Sequence, residues 1–482
     1  MLIEWGHKRK HIQVNMRVST STMGGGKLVE RIKGRSVPID TFMRLADRPG
    51  LFFLDSALPH ERFGRYSFIG CEPSLTISAN QNEITTTRNG IPQTTQDDPF
   101  EALRAVIEEC KNSSSQPGPD CEIPFTGGLV GYLGYDLRHF VERLPRNARR
   151  DQRFPDMYFG FYDTVLCHDN ARDEWHLYGE GATADVLRQA VEQAAPNRTA
   201  PEKPRILGEI TSNFKKHEYL KAVRDVIEYI RAGDIFQANL SQRFECEVDY
   251  PAAAVYAQLR EANPAPFAAY LDIGEGRRVI SSSPERFLKV DGRRVETRPI
   301  KGTRPRFQDA EADAAMRREL LASEKDNAEL AMIVDLERND LGRVCEFGTV
   351  RVDEARTLET YATVHHLVAT VSGTMRKGCG IADLLRAAFP GGSITGAPKI
   401  RAMEIIDEME PTARSVYTGA IGWIGADGRA DLNIAIRTLL TDGQRVTFQA
   451  GGGIVLDSEP EAEYQETLAK GRGIRRALGA ED

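Results

Sequence analysis

Residues 297–305, Thr-Arg-Pro-Ile-Lys-Gly-Thr-Arg-Pro, place one lysine, Lys301, on a short segment between two prolines. Pro299 and Pro305 stiffen the backbone there, and Gly302 permits a sharp bend. Arg298, Arg304 and Arg306 surround Lys301 with positive charge that would lower its pKa, as a nucleophilic amine requires. The same residues also read as a solvated basic loop. Two further segments carry carboxylates three residues apart, Asp326 with Glu329 and Glu463 with Glu466. On a helix that spacing puts each pair on one face, about 4.5 Å apart along the axis. Two such helices face to face would offer oxygen ligands to a divalent cation, of which magnesium is the natural choice. Structural roles compete: Asp326 completes a cap begun by Ser323, Glu463 complements a helix dipole, and Glu466 pairs with Lys470.

Other candidates are more ambiguous. Glu285 ends a serine-rich run and is either a general acid or a turn cap. His365 and His366 lie in an alternating apolar run and point to opposite faces of a strand, so one reaches a cleft if the other packs. Arg437 shares a strand face with Asn433 and Ala435, lining a pocket or facing solvent. The loop at residues 390–399 has the glycine spacing of a phosphate cradle, but Ala397 and Pro398 stand where that cradle needs lysine and a hydroxyl. A triphosphate site is therefore excluded. Gly451, Gly452 and Gly453 either let backbone N–H groups approach a carboxylate or make a tight bend before the last helix.

These groups need a scaffold, and the chain can supply one. Its 482 residues bury a large core in two lobes or one composite domain. A hydrophobic content of 41% and a net charge of -7 are those of a globular enzyme, with nothing that points to nucleic-acid binding. Seven scattered cysteines suit a reducing, cytoplasmic setting rather than a disulfide framework. Residues 1–33 read as a basic tail without an apolar run long enough for a signal peptide or membrane span. Residues 34–195 are rich in strand patterns, residues 196–212 read as a proline-rich linker, and residues 213–482 form the second lobe. In that lobe helices are expected at 217–232, 310–321 and 324–340, and strands at 235–244, 267–273 and 279–290. Near the end, Asp427-Gly428 and Asp442-Gly443 separate three strands of a meander, and a final helix opens at Ser458.

Taken together, residues 233–244, 281–287, 299–303 and 328–342, the two glycine loops and residues 461–470 resemble the chorismate-utilising enzymes. The match covers nearly all of residues 215–475 in the family's order, and is weaker at residues 54–56 and 64–67. It implies an α+β, anthranilate-synthase-like composite fold of antiparallel β-sheets packed as a sandwich with helices outside. Within the family, Lys301 is similar to the lysine of enzymes that form 4-amino-4-deoxychorismate, a step toward p-aminobenzoate and folate, whereas anthranilate synthases typically carry alanine there. Isochorismate synthases use a lysine base at the position of Gln237, and glutamine cannot serve as that base.

The resemblance implies roles throughout. Lys301 would attack C2 of chorismate while Glu285 acts as general acid and base, and ammonia would then enter at C4. Magnesium would be held by Glu329, Glu463 and Glu466, with Asp326 in the outer shell. Arg437, Tyr417, Lys470 and the amides of Gly452 and Gly453 would bind the enolpyruvyl carboxylate, with Thr303, His366 and Thr395 lining the ring pocket beside Gln237. A glutamine amidotransferase subunit would supply ammonia, since the chain has no Gly-x-Cys-x-Gly turn. Leu54 and Ser56, with Asn263, Pro264, Pro266 and Phe267, resemble the tryptophan pocket of anthranilate synthases.

Overall fold

The computed structural model describes residues 29–34, 36–58, 63–113, 121–193, 204–361 and 364–480. Two twelve-stranded sheets, antiparallel at every pairing, organise these residues. The first runs from Val29–Ile32 through Phe52–Asp55, Phe267–Asp272, Arg277–Ser283 and Thr438–Asp442 to Arg445–Ile454, Gln237–Asp249 and Arg205–Ser212. The second runs from Ile300–Pro305 through Val364–Thr374, Arg286–Asp291, Ala430–Ile434 and Ala420–Gly425 to Gly128–Leu133 and Ile91–Gln96. Both sheets draw strands from the first third of the chain and from the rest. They are joined across that boundary at Phe52–Asp55 with Phe267–Asp272 and at Gly128–Leu133 with Ala420–Gly425.

The sheets pack face to face over Phe52, Phe68, Tyr132, Tyr162, Leu271 and Trp423, contributed by both. Helices cover the outer faces. Glu324–Gly342 and Ile381–Ala388 pack on the second sheet, while Ala252–Ala262 and Pro460–Ala477 pack on the first. Each large apolar side chain buried this way contributes about 1.5–3 kcal/mol. This is the sandwich with outer helices that the resemblance implied, and no helix of the described residues is long and apolar enough to cross a membrane.

Several local expectations need correction. Residues 205–212 form an edge strand on Gln237–Asp249 rather than linker, and 29–32 form a strand rather than tail. Residues 1–28 of the expected tail lie outside the described residues, as do residues 196–203 of the linker. The strand expected over 279–290 breaks at Pro284, which cannot donate to a ladder, and its halves Arg277–Ser283 and Arg286–Asp291 belong to different sheets. The meander is likewise split. Ala430–Ile434 stays in the second sheet, the chain crosses over at residues 435–437, and Thr438–Asp442 enters the first. Arg437 at this crossover has φ +50°, so its side chain does not continue the face set by Asn433.

Candidate active site

The two crossovers lie side by side and are hydrogen bonded: Ile434 N–H donates to the Glu285 carbonyl at 3.0 Å, and Ser282 N–H to the Arg437 carbonyl at 3.1 Å. Glu285 and Arg437 therefore both sit on the seam between the sheets. Glu285 is 4% exposed, and burial raises its pKa, with the Ser393 hydroxyl and the Lys301 ammonium pulling the other way. One of its oxygens accepts from the Ile300 N–H at 3.3 Å, which ties the carboxyl to the strand that carries the lysine.

Lys301 belongs to a strand, Ile300–Pro305, not to an exposed turn. A bulge opposite Val364–Thr374 falls between Lys301 and Thr303, where Gly302 takes φ +75°. A Cβ at Gly302 would lie 2.8 Å from Leu320 Cδ1 and 2.9 Å from Asp326 Cγ, so only glycine fits. Lys301 Nζ donates to the Ser393 carbonyl at 3.1 Å. Although the residue as a whole is only partly buried, desolvation of the amine lowers its pKa against the opposing pull of Glu329 and Glu285. The neighbouring arginines expected to lower it are not the cause. Arg298 is paired with Glu354 and Glu359, and Arg304 with Glu319 and Asp326, so their charges are compensated.

The three glycines do not make a bend. They continue the strand Arg445–Ile454, with Gly453 opposite Asn239 and Gly452 opposite Leu240. Their smallness is needed for close approach: a Cβ on Gly452 would lie 3.1 Å from Glu463 Oε2 and 3.4 Å from Glu466 Oε1. A Cβ on Gly453 would collide with Gln237 Nε2 at 1.9 Å. The helix Pro460–Ala477, which begins two residues later than expected, brings Glu463, Glu466 and Lys470 onto this strand. Lys470 Nζ donates to the Gly451 carbonyl at 2.9 Å and pairs with Glu466 at 2.7 Å. From the other side Glu329 approaches Gln237 Nε2 at 3.4 Å.

Burial raises the pKa of Glu329 and of Glu463, whose Oε1 accepts from the Ser458 hydroxyl at 2.6 Å. At Glu466 burial acts in the same sense, but Lys470 overturns it and holds the carboxyl low. Among the described residues no three such side chains stand close enough together to hold an ion as placed. The donor chemistry nevertheless suits a hard cation: Glu463 and Glu466 lie over Gly452, Glu329 reaches Gln237 beside Gly453, and the buried Gln237 Oε1 has no hydrogen-bond partner among the described residues. Asp326 is turned to Arg304 and Gly302 instead, with its Oδ2 3.1 Å from the guanidinium.

Arg437 meets a neutral partner, Asn263 Oδ1 at 3.1 Å, and no carboxylate among the described residues. Although the residue as a whole is only partly buried, desolvation lowers the pKa of its guanidinium, with no opposing pull from a carboxylate among the described residues. Thr303 Oγ1 and His366 Nδ1 are 2.9 Å apart, and burial, with a smaller contribution from Arg437, pushes His366 down to about 3. The imidazole is therefore neutral at pH 7. His365, on the opposite face, bonds Asp313 at 2.9 Å and Thr360 at 3.0 Å. Two expectations shift. The Thr395 hydroxyl donates to the Gly391 carbonyl at 3.0 Å within its own loop, and Tyr417 is buried with its ring 5.8 Å from Arg414.

Sequence reasoning missed Ser393 and Arg414. Arg414 is 1% exposed, pairs with Glu410, and donates to the carbonyls of Ile394 at 3.1 Å and Asn239 at 2.5 Å, locking the loop to the glycine strand's neighbour. Nothing in its local sequence distinguishes it from a surface arginine. A separate cavity of about 400 Å³ opens between the sheets, lined by Leu54, Ser56, Phe63, Pro266, Phe267, Arg286 and Trp423 among others. Pro264 is not in that lining, and neither is Asn263, which reaches Arg437 instead.

A seam that gathers an amine, a buried acid, carboxylates over glycine backbone and a guanidinium with no carboxylate against it among the described residues is the kind of arrangement found in enzyme active sites. The model of the chorismate binding enzymes matches residues 52–476, and the chain belongs to that family. It is 40% identical over 437 residues to aminodeoxychorismate synthase component 1 of Escherichia coli, covering 91% of this chain and 95% of that one. It is also 40% identical over 448 residues to anthranilate synthase component 1 of Thermus thermophilus, at 92% and 95% coverage. Among solved structures, anthranilate synthase component I from Streptococcus pneumoniae superposes with a TM-score of 0.75 at 34% identity, covering 85% of this chain and 92% of that one. Within the family the chain is of the type shared by these two kinds of component.

Proposed function

We propose that the chain is the chorismate-converting component of 4-amino-4-deoxychorismate formation. The observation that carries this reading is a lysine amine at position 301, its pKa lowered by burial, held at 3.1 Å by the Ser393 carbonyl and under the electrostatic influence of Glu285. As the free amine, which that shift favours, Lys301 attacks C2 of the ring. The new N–C2 bond shifts both ring double bonds and breaks the C4–O bond, and Glu285, whose hold on a proton burial strengthens, gives the departing hydroxyl its proton so that water leaves. Ammonia then forms a bond to C4, both double bonds return, and the C2–N bond to Lys301 breaks. The proton released by the ammonium returns to Glu285.

Arg437, Lys470 and the amides of Gly452 and Gly453 bind the enolpyruvyl carboxylate, and neutral His366 with Thr303 borders the ring. Glu329, Glu463 and Glu466 would hold magnesium, which when bound neutralises a substrate carboxylate. Ammonia comes from glutamine through a separate amidotransferase subunit. The cavity between the sheets, with Phe63, Phe267 and Trp423 in its lining, is assigned to tryptophan. A second reading, anthranilate synthase component I, is favoured by relatives of equal identity. Lys301 weighs against it.

The test is incubation with chorismate, magnesium and ammonium, with products identified by mass. The expected product is aminodeoxychorismate, abolished in Lys301→Ala. Fluorescent anthranilate with release of pyruvate, or an unchanged rate in the variant, would overturn the assignment.

A further inference from the structure

The loop at residues 390–399 lacks the lysine of a phosphate cradle, yet it carries a lysine with another use. Lys399 opens the helix Lys399–Met409, but its side chain runs back beneath the loop. Its Nζ donates to the carbonyls of Ala388 at 3.1 Å and Pro390 at 2.8 Å, and pairs with Asp340 Oδ2 at 2.6 Å. All three N–H bonds of the ammonium are thereby used, in a place where the two side chains are 13% and 7% exposed.

Asp340 and Glu329 lie eleven residues apart on the helix Glu324–Gly342, about three turns, and so share a face. The helix that sends Glu329 to the substrate space thus also anchors Lys399. It supports the loop directly as well, since a Cβ on Gly392 would lie 2.8 Å from Leu336 Cδ2. Beyond Pro390 the chain makes one 3-10 turn, Gly392–Ile394, with Ser393 at its centre. The carbonyl that receives the Lys301 amine is therefore three residues from the carbonyl held by Lys399.

We infer that Lys399 is a positioning residue for Lys301: by fixing the Pro390 carbonyl it sets the height of the Ser393 carbonyl, and so the place of the nucleophilic amine. The inference rests on the role assigned to Lys301 above. Reactive geometry is steep enough that a displacement of about 1 Å costs roughly 100-fold in rate. A charge-balancing role alone would make Lys399 dispensable whenever Asp340 is neutralised with it, because removing both members of a buried pair is tolerated where removing one is not.

Three variants separate the two roles: Lys399→Met, Asp340→Asn and the double variant. Asp340→Asn leaves both carbonyl bonds, and its kcat is expected to stay within about threefold of the parent. Lys399→Met is expected to lose about 100-fold in kcat for chorismate consumption, with KM within about threefold. The double variant regains the parent's melting temperature but not its kcat. Competitive acylation of Lys301 across pH, read by peptide mass spectrometry, shows its midpoint moving about one unit upward toward that of a free lysine. That readout needs no turnover, so it distinguishes failure of this inference from failure of the proposed reaction. A double variant with both melting temperature and kcat restored, or an unmoved labelling midpoint, overturns the inference. Should Lys399→Met alone not fold, the double variant and Lys399→Gln, which keeps a donor for Pro390, carry the same comparison.

Discussion

Glu285 and Arg286 are consecutive in the chain and serve different spaces. The carboxyl of Glu285 faces Lys301 and Ser393 on the seam, while the guanidinium of Arg286 lines the cavity between the sheets, stacked over Phe63 at 4.7 Å and Phe267 at 5.1 Å. The change of sheet at Pro284 makes this division. The proposed general acid is thus one peptide bond from the wall of a second cavity.

Arg286 holds Asp431 through two bonds, at 2.8 and 2.9 Å, and reaches Glu296 at 3.3 Å. Arg286→Met strands both acids, and is expected to cost about 3–5 kcal/mol of stability. If the peptide link matters to catalysis, kcat measured on the remaining folded protein falls while KM for chorismate holds. Denaturant titration and steady-state kinetics check the two effects separately.

Among the described residues Arg437 contacts no countercharge, and the proposed reaction gives it a substrate carboxylate. Arg437→Gln is expected to raise KM for chorismate by roughly 10- to 100-fold, the value of a charge-assisted hydrogen bond of about 1.5–3 kcal/mol. Arg437→Lys recovers only part of this, because an ammonium lacks the two-pronged donor geometry. An unchanged KM in the glutamine variant would remove Arg437 from substrate binding.

His366 supplies a pH test. Its folded pKa of about 3 lies below the unfolded value near 6.5, so between these the unfolded chain binds the extra proton and stability rises with pH. The contribution is complete above the unfolded value and is lost as pH falls, by about 2 kcal/mol between pH 7 and pH 5 for one such group. Thermal melts at both pH values are expected to show a smaller acid-induced decrease in His366→Asn than in the parent.

Gly452 lies under two carboxylates. The Cβ of Gly452→Ala would stand 3.1 Å from Glu463 and 3.4 Å from Glu466, forcing both to shift by a few tenths of an ångström. The magnesium concentration for half-maximal turnover is expected to rise about tenfold, with the melting temperature nearly unchanged. A titration curve that overlays the parent's would detach these acids from the metal.

The residues that could do chemistry were legible in the chain because side-chain type and helical spacing are local properties. Glu463 and Glu466 share a helix face at any tertiary arrangement, and Gly302 marks a bend where a Cβ is not tolerated. An apolar stripe likewise located the helix Lys216–Arg231, and the Ser323 cap marked the start of Glu324–Gly342, each to within about two residues. What the sequence by itself determined, then, was the set of reactive groups, the secondary elements that bear them and, through resemblance, the family.

Only the tertiary structure decided how those groups are charged and which of them meet. The depressed pKa of Lys301 comes from burial, a property of the folded surface, and not from neighbouring arginines, which find carboxylates from distant segments. Arg414, Ser393 and Lys399 gain their roles from contacts with residues far away or on the other side of a turn, and their local sequence carries no trace of it. The seam itself, where two apparent single strands each break and change sheets, depends on which sheet offers each half a hydrogen-bonding edge. Strand pairing is non-local, so no window of sequence contains it.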